Sequence, residues 1–72
     1  MPMPNDLVHD AILEAVEAFG GTDGTFNLAG FGTAVARMAG VVRSVDGLVC
    51  RVILAGRSDC TPLPGGAHYR LL

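Results

Sequence analysis

The last third of the chain constrains the fold most, because two apolar runs there are separated by a long turn-rich segment. The first run, LVCRVILA at 48–55, is rich in β-branched residues and nearly continuous in its apolarity, which favours a covered strand. The segment GRSDCTPLPGG at 56–66 is built from turn-forming residues. The second run, AHYRLL at 67–72, places Tyr69 and Leu71 on one face. We therefore predict a C-terminal β-hairpin made of these two strands.

The first part of the chain has the spacing of an amphipathic helix. We expect this helix to begin at Asn5 or Asp6, either of which can cap it, and to end at Gly20 and Gly21. Residues 1–5 are then a flexible lead-in to a single domain over 6–72. The apolar positions that carry the periodicity are Val8, Ile12, Ala15, Val16 and Phe19.

The middle of the chain predicts a turn, a very short strand and interrupted helix. Asp23-Gly24 is a turn signal, and Thr25 and Phe26 can form a short strand after it. We expect a helical turn near 28–31, a bend at Gly32 and a second helix over 34–45, because glycine weakens a continuous helix. An apolar stripe with steps of three and four can pack internally or form a dimer seam; its members are Leu28, Phe31, Val35, Met38 and Val42.

Length and composition narrow the class of protein. Seventy-two residues allow one domain, and a hydrophobic content of 50% with 17% charged residues is too apolar for a disordered chain. Without a transmembrane run or a secretory leader, we expect a soluble cytoplasmic protein.

Two cysteines are too few for a disulfide framework, although a bridge between them is conceivable; we expect Cys50 to be a small core residue. We expect no metal or cofactor, because the spacing of Cys60 and His68 matches no compact zinc pattern.

Positive and negative side chains are separated along the sequence. Residues 1–36 contain five acids and no Lys or Arg, a formal charge of −5, whereas 37–72 contain five basic residues against two acids, a charge of +3. This asymmetry suggests a basic face that meets an acidic partner, or two halves that neutralise each other within the fold. The basic residues are all arginines: Arg37, Arg43, Arg51, Arg57 and Arg70.

The predicted order of helix, short strand, helix, helix, strand, loop and strand resembles a winged helix-turn-helix domain. HDAILEAVEAFGG at 9–21 looks like the first helix of that family. DGLVCRV at 46–52 looks like the end of a recognition helix passing into the first wing strand, and GGAHYRLL at 65–72 looks like the returning strand. The resemblance implies a small α+β winged-helix-like domain with two to three helices followed by a C-terminal β-hairpin.

The same resemblance implies a small DNA-binding regulator of transcription without enzymatic activity. Arg37 and Arg43 would face the major groove of duplex DNA, Arg57 would lie at the wing tip, and Arg51 and Arg70 would lie on the wing strands. Phosphate contacts of this kind weaken steeply as salt rises.

The alternative is a protein that binds a larger protein and not DNA. A phage-borne or plasmid-borne accessory protein of this size could inhibit or adapt its partner, since a fold does not fix a function. The acidic first helix would then be one docking surface, and the edge strand 67–72, which could add to a partner's sheet, would be another. Either reading allows a monomer or a homodimer.

Overall fold

Helices and strands follow one another in the predicted order, although different residues form several of them. In the computed structural model, which describes residues 4–19 and 23–72, three helices and a three-stranded antiparallel sheet form an α+β domain. The elements are α1 (Pro4–Phe19), β1 (Thr25–Asn27), α2 (Leu28–Ala39), α3 (Gly47–Ala55), β2 (Cys60–Pro62) and β3 (His68–Leu71). The α+β class and the short strand β1 are therefore confirmed. A C-terminal hairpin is present, but its first strand is β2 and not the predicted segment 48–55.

The sheet has the strand order β1-β3-β2, so the last strand of the chain lies at its centre. Tyr69 pairs with Phe26 of β1 on one side and with Pro62 of β2 on the other. The expectation that 67–72 could extend a partner's sheet is wrong, because both hydrogen-bonding edges of β3 are occupied within the chain. The predicted alternation is confirmed: Tyr69 is buried, and Arg70 lies on the exposed face.

Aromatic side chains join the sheet to the helices in one core. The ring of Phe26 stacks on Tyr69 at 5.9 Å between centroids and meets Phe31 of α2 at 6.1 Å. Ile12 of α1 and Cys50 of α3 are completely buried beside them. Cys50 is thus a core residue, as predicted, and both cysteines are free thiols.

The segment 48–55 forms a helix, so the predicted strand there is wrong. The Asp46 carboxylate accepts a hydrogen bond from the Leu48 N–H at 2.7 Å, which caps the first turn of α3. Cys50 and Leu54 are both buried and lie four residues apart. This spacing puts both on one face of a helix and would also put both on one face of a strand. The strand that pairs with β3 is instead Cys60–Pro62, within the segment predicted to be all turn.

A single helix, α2, replaces the predicted turn and bend. The Asn27 side chain caps its start by accepting from the Gly30 N–H at 2.7 Å, and Gly40 ends it with a left-handed φ of 74°. The helix therefore ends six residues before Val45, the predicted limit. Of the apolar stripe, Leu28, Phe31, Val35 and Met38 pack in or against the core, whereas Val42 lies outside it.

The first helix already begins at Pro4, two residues before Asp6. Proline suits the first turn of a helix, where its missing N–H has no partner in any case. Residues 1–3 of the expected lead-in and the stop signals Gly20 and Gly21 lie outside the described residues. The described part of the chain contains no helix long and apolar enough to cross a membrane.

Two glycines of α2 are places of close approach. A Cβ atom at Gly30 would lie 2.8 Å from Cβ of Phe19, and one at Gly32 would lie 2.7 Å from the carbonyl oxygen of Val45. The nearest atom of Phe19 is its Cβ, which rotation of the ring does not move, and the Val45 backbone cannot move without shifting the start of α3. The glycines that argued against a continuous helix are therefore packing contacts on it.

Gly32→Ala is predicted to destabilise the fold by up to about 2 kcal/mol, since overpacking costs about 1–3 kcal/mol and the better helix propensity of Ala returns about 1 kcal/mol. Urea unfolding gives the free energy directly. Gly47→Ala is the matched control, because no atom lies within 4 Å of its added Cβ; it should be neutral or slightly stabilising. Equal stability of the two variants would contradict the packing role.

Candidate interaction surface

Among the described residues, two of the five arginines predicted to bind DNA form ion pairs with acids of the same chain. Arg37 lies on α2, and its Nη1 is 2.9 Å from Oε2 of Glu14 on α1. Oε2 of Glu14 is buried and accepts no hydrogen bond within the described residues. The contact with Arg37 is therefore an ion pair whose geometry does not make a hydrogen bond. The acidic helix α1 is thus partly neutralised by α2 across the interface between them.

Arg57 has a second and tighter acidic partner. Its Nε and Nη2 donate to the two carboxylate oxygens of Asp59 at 3.0 and 2.6 Å, a bidentate arrangement. The side chain of Arg57 is only 16% exposed. Arg57 precedes β2 and lies outside the hairpin loop 63–67, so its predicted place at a wing tip is wrong.

His9 joins the same carboxylate from the first helix. Its Nδ1 lies 2.8 Å from Oδ2 of Asp59, which ties α1 to the connection between α3 and β2. The hydrogen bonds from Arg57, with a smaller contribution from His9, hold the pKa of Asp59 well below its usual range, although partial burial acts in the opposite direction. The cluster of His9, Arg57 and Asp59 therefore acts as a structural tie between distant segments.

The other three arginines do not share one element. Arg43 lies in the connection between α2 and α3, Arg51 on α3 and Arg70 on β3, where Thr25 and Thr61 flank it across the sheet. Arg51 was predicted on a wing strand; it lies on a helix, with its guanidinium group against Gly66 of the hairpin loop. Arg43 was predicted within the helix 34–45, but it follows the end of α2. Only Arg70 occupies its predicted element.

The outward side of α3 is apolar. Val52 lies two residues from each of the buried Cys50 and Leu54, which at about 100° per residue places it on the opposite side of the helix. Val52 is 76% exposed, and Leu48, one turn before it, is 73% exposed. Val49 and Ala55 are also exposed on this helix. We call Leu48, Val49, Val52 and Ala55 the α3 face.

The connection that enters α3 adds further exposed apolar surface. Val42 is 99% exposed and Val41 is more than half exposed. Val41 is held in place by the hydrogen bond that its N–H donates to the Ala36 carbonyl at 2.8 Å, and the Thr33 and Ser44 hydroxyls meet at 3.0 Å. The connection is thus tied to α2, and its valines point away from the core. Sequence analysis missed these residues because it placed Val42 in a helix and Val52 in a strand.

Both cysteine thiols are buried, and a polar depression lies just before Cys60 in the chain. Burial raises the pKa of the Cys60 thiol, and Asp59 beside it acts in the same direction, so this sulfur stays protonated. Burial likewise raises the pKa of Cys50. A polar depression is lined by Gly56, Arg57, Ser58 and Asp59, of which Arg57 and Asp59 already bind each other. No group of three possible metal ligands occurs in the described ranges 4–19 and 23–72.

Comparison with protein-family models, with curated proteins and with solved structures gives no significant match to this chain.

Asp59→Asn is predicted to cost about 1–2 kcal/mol at neutral pH, the usual range for a partly exposed charge-assisted hydrogen-bond pair. Because the folded-state pKa of Asp59 is lowered, its contribution is present above about pH 4, the ordinary Asp value, and is lost as the pH falls toward the lowered pKa. The free energy of unfolding should therefore fall less between pH 5 and about pH 2 in the variant than in the wild type. Asp10→Asn, at an exposed position of α1, is the control and should show the wild-type dependence of the unfolding free energy on pH. The same dependence in Asp59→Asn would contradict the stabilising role of the His9, Arg57 and Asp59 cluster.

Proposed function

We propose that this chain is a non-enzymatic protein-binding module with a winged-helix-like architecture, and that it docks through the α3 face. The observation that carries the proposal is that α3 is apolar on both sides. Cys50 and Leu54 bury one side in the core, whereas Leu48 and Val52 present the other to solvent. Arg51 is the one charged residue of α3. A helix that is otherwise hydrophobic all round is normally buried, and a contiguous exposed apolar surface is typical of an interaction site.

The arrangement of elements supports the winged-helix-like part of the proposal. The order α1-β1-α2-α3-β2-β3 and the sheet order β1-β3-β2 resemble that family, with α3 in the position of the recognition helix. The connection between the helices, 40–46, is longer than a tight turn, and the hairpin loop 63–67 takes the position of the wing.

DNA binding remains a prediction with less support than protein binding. Base reading needs polar side chains on the outward face of the recognition helix, and Leu48, Val49 and Val52 cannot supply the hydrogen bonds. Phosphate binding needs available cations, and Arg37 and Arg57 are already paired with carboxylates. Arg43, Arg51 and Arg70 are the cations from which phosphate contact would have to come.

Val52→Asp is predicted to lower the capture of protein partners at least tenfold, because it places a charge in the centre of the α3 face. The full chain is immobilised, exposed to a lysate of the cells that produce it, and the bound proteins are quantified by mass spectrometry. Leu72→Asp is the matched control: the exposed fraction of Leu72, 74%, is similar to the 76% of Val52, but Leu72 directly follows β3 and is not part of the α3 face. Circular dichroism and the unfolding midpoint establish that both variants fold.

A parallel titration with labelled duplex DNA at 50 and 200 mM salt tests the alternative function. The expected result is no tight binding at either concentration. Tight binding at 50 mM that weakens steeply with salt, falls in Arg51→Ala and persists in Val52→Asp would overturn the protein-binding proposal. Capture that is equal for wild type, Val52→Asp and Leu72→Asp would overturn it as well.

A further inference from the structure

We propose, resting on the protein-binding function above, that the occupant of the α3 face is an amphipathic helix of another protein with carboxylates along the borders of its apolar stripe. The proposal concerns the chemistry of the partner, which the exposed area alone does not define. It follows from the shape of the α3 face and from the charges that border it.

The shape of the α3 face fits a helix. Nine residues at about 1.5 Å each make α3 about 13 Å long. Leu48 and Val52 form an i, i+4 ridge on this convex surface, with Val49 and Ala55 beside it. Ridges of this spacing pack into the grooves between the side chains of a second helix at an interaxial distance of about 8–10 Å. A strand has no edge to join here, since the described sheet belongs to β1, β2 and β3.

The charges that border the α3 face are positive. Arg51 lies three residues after Leu48 on the helix, so the aliphatic part of its side chain lies beside the ridge. Its guanidinium group extends toward Gly66. Arg43 follows the fully exposed Val42 in the connection that enters α3. The acid on this part of the chain, Asp46, caps the helix through its bond to the Leu48 N–H. A partner with carboxylates beside its apolar stripe would therefore meet opposite charge.

A second copy of the chain fits this surface less well. A two-fold axis perpendicular to the α3 helices gives an antiparallel pair, in which each Arg51 lies on the same side as its copy. An axis along the helices gives a parallel pair, in which Arg51 of either copy again meets no carboxylate, because α3 contains no acid. Like charges are placed near each other without a carboxylate between them. The exposed acids Asp10 and Glu17 lie on α1, outside the α3 face. Charge therefore favours another protein over a homodimer.

Two synthetic helical peptides test the chemistry of the partner. Both have the same Leu and Ile stripe over about three heptads; one has Glu at the positions that border the stripe and the other has Lys. Binding to the full chain is measured by fluorescence anisotropy at low and high salt. We expect the Glu peptide to bind at least tenfold more tightly than the Lys peptide, and the difference to shrink as salt rises.

Two variants of the chain assign the effect to named residues. Arg51→Glu should reverse the preference toward the Lys peptide while the fold stays intact, since its side chain is exposed. Val52→Asp should weaken both peptides about equally, and Leu72→Asp should change neither. A preference for Glu that survives unchanged in Arg51→Glu would overturn the assignment of the border charge.

Other outcomes overturn the proposal in distinct ways. Equal affinity for the two peptides would show that charge does not select the partner. A dimer in sedimentation analysis that dissociates in Val52→Asp would make a second copy the occupant. Binding to vesicles of phosphatidylserine and phosphatidylcholine that is lost in Val52→Asp, without peptide binding, would assign the surface to a membrane. If neither peptide binds but Val52→Asp still lowers capture from lysate, the helical acidic partner is rejected and the proposed function stands. If Val52→Asp does not lower that capture, the partner and the proposed function are both rejected.

Discussion

The close approach of neighbouring segments to the backbone of α2 is the constraint on which the rest of the structure depends. The Val45 N–H donates to the Gly32 carbonyl at 3.2 Å, and the Val45 carbonyl oxygen lies where a side chain at position 32 would be. The chain entering α3 is therefore fixed on the surface of α2, one residue before the Asp46 cap. Cys50, one turn into α3, then reaches the same glycine with its sulfur.

This docking decides which side of α3 meets water. Once Val45 and Cys50 lie against α2, the helix period directs Leu54 inward and Val52 outward. The aromatic core of Phe26, Phe31 and Tyr69 closes the other side of α2 and is completed without any side chain of the α3 face. The candidate surface is thus a consequence of the packing of α2, and rotation of α3 would expose Cys50 and Leu54 instead.

The sequence predicted the parts of the fold whose signals are local. The period of α1, the Asp23-Gly24 turn, β1 and the alternation of β3 all depend on nearest neighbours. The segment 48–55 was misassigned because a short, continuous apolar run fits a strand and a buried helix equally. Its boundaries carried the missing signal: Asp46 can cap a helix, and Gly56 follows its end.

The candidate surface was harder to foresee, because it depends on contacts between distant residues. Arg37 meets Glu14 and Arg57 shares Asp59 with His9 only after folding. The second possibility drawn from the charge asymmetry, that the two halves neutralise each other, describes these pairs in part. Because Arg37 and Arg57 are paired with acids, the positive charge next to the apolar surface is that of Arg43 and Arg51. Sequence spacing alone does not reveal this arrangement.

The composition of the α3 face is itself an argument for a partner. Val49 and Val52 are β-branched, and such residues form helices less readily than Leu, Ala or Glu. They are exposed, so packing within the chain does not compensate for that lower propensity. A domain of 72 residues has a narrow stability margin. Residues that neither favour the helix nor pack in the core conflict with the fold. Local conflicts of this kind are expected at functional sites, and contact with a second apolar surface would remove this one.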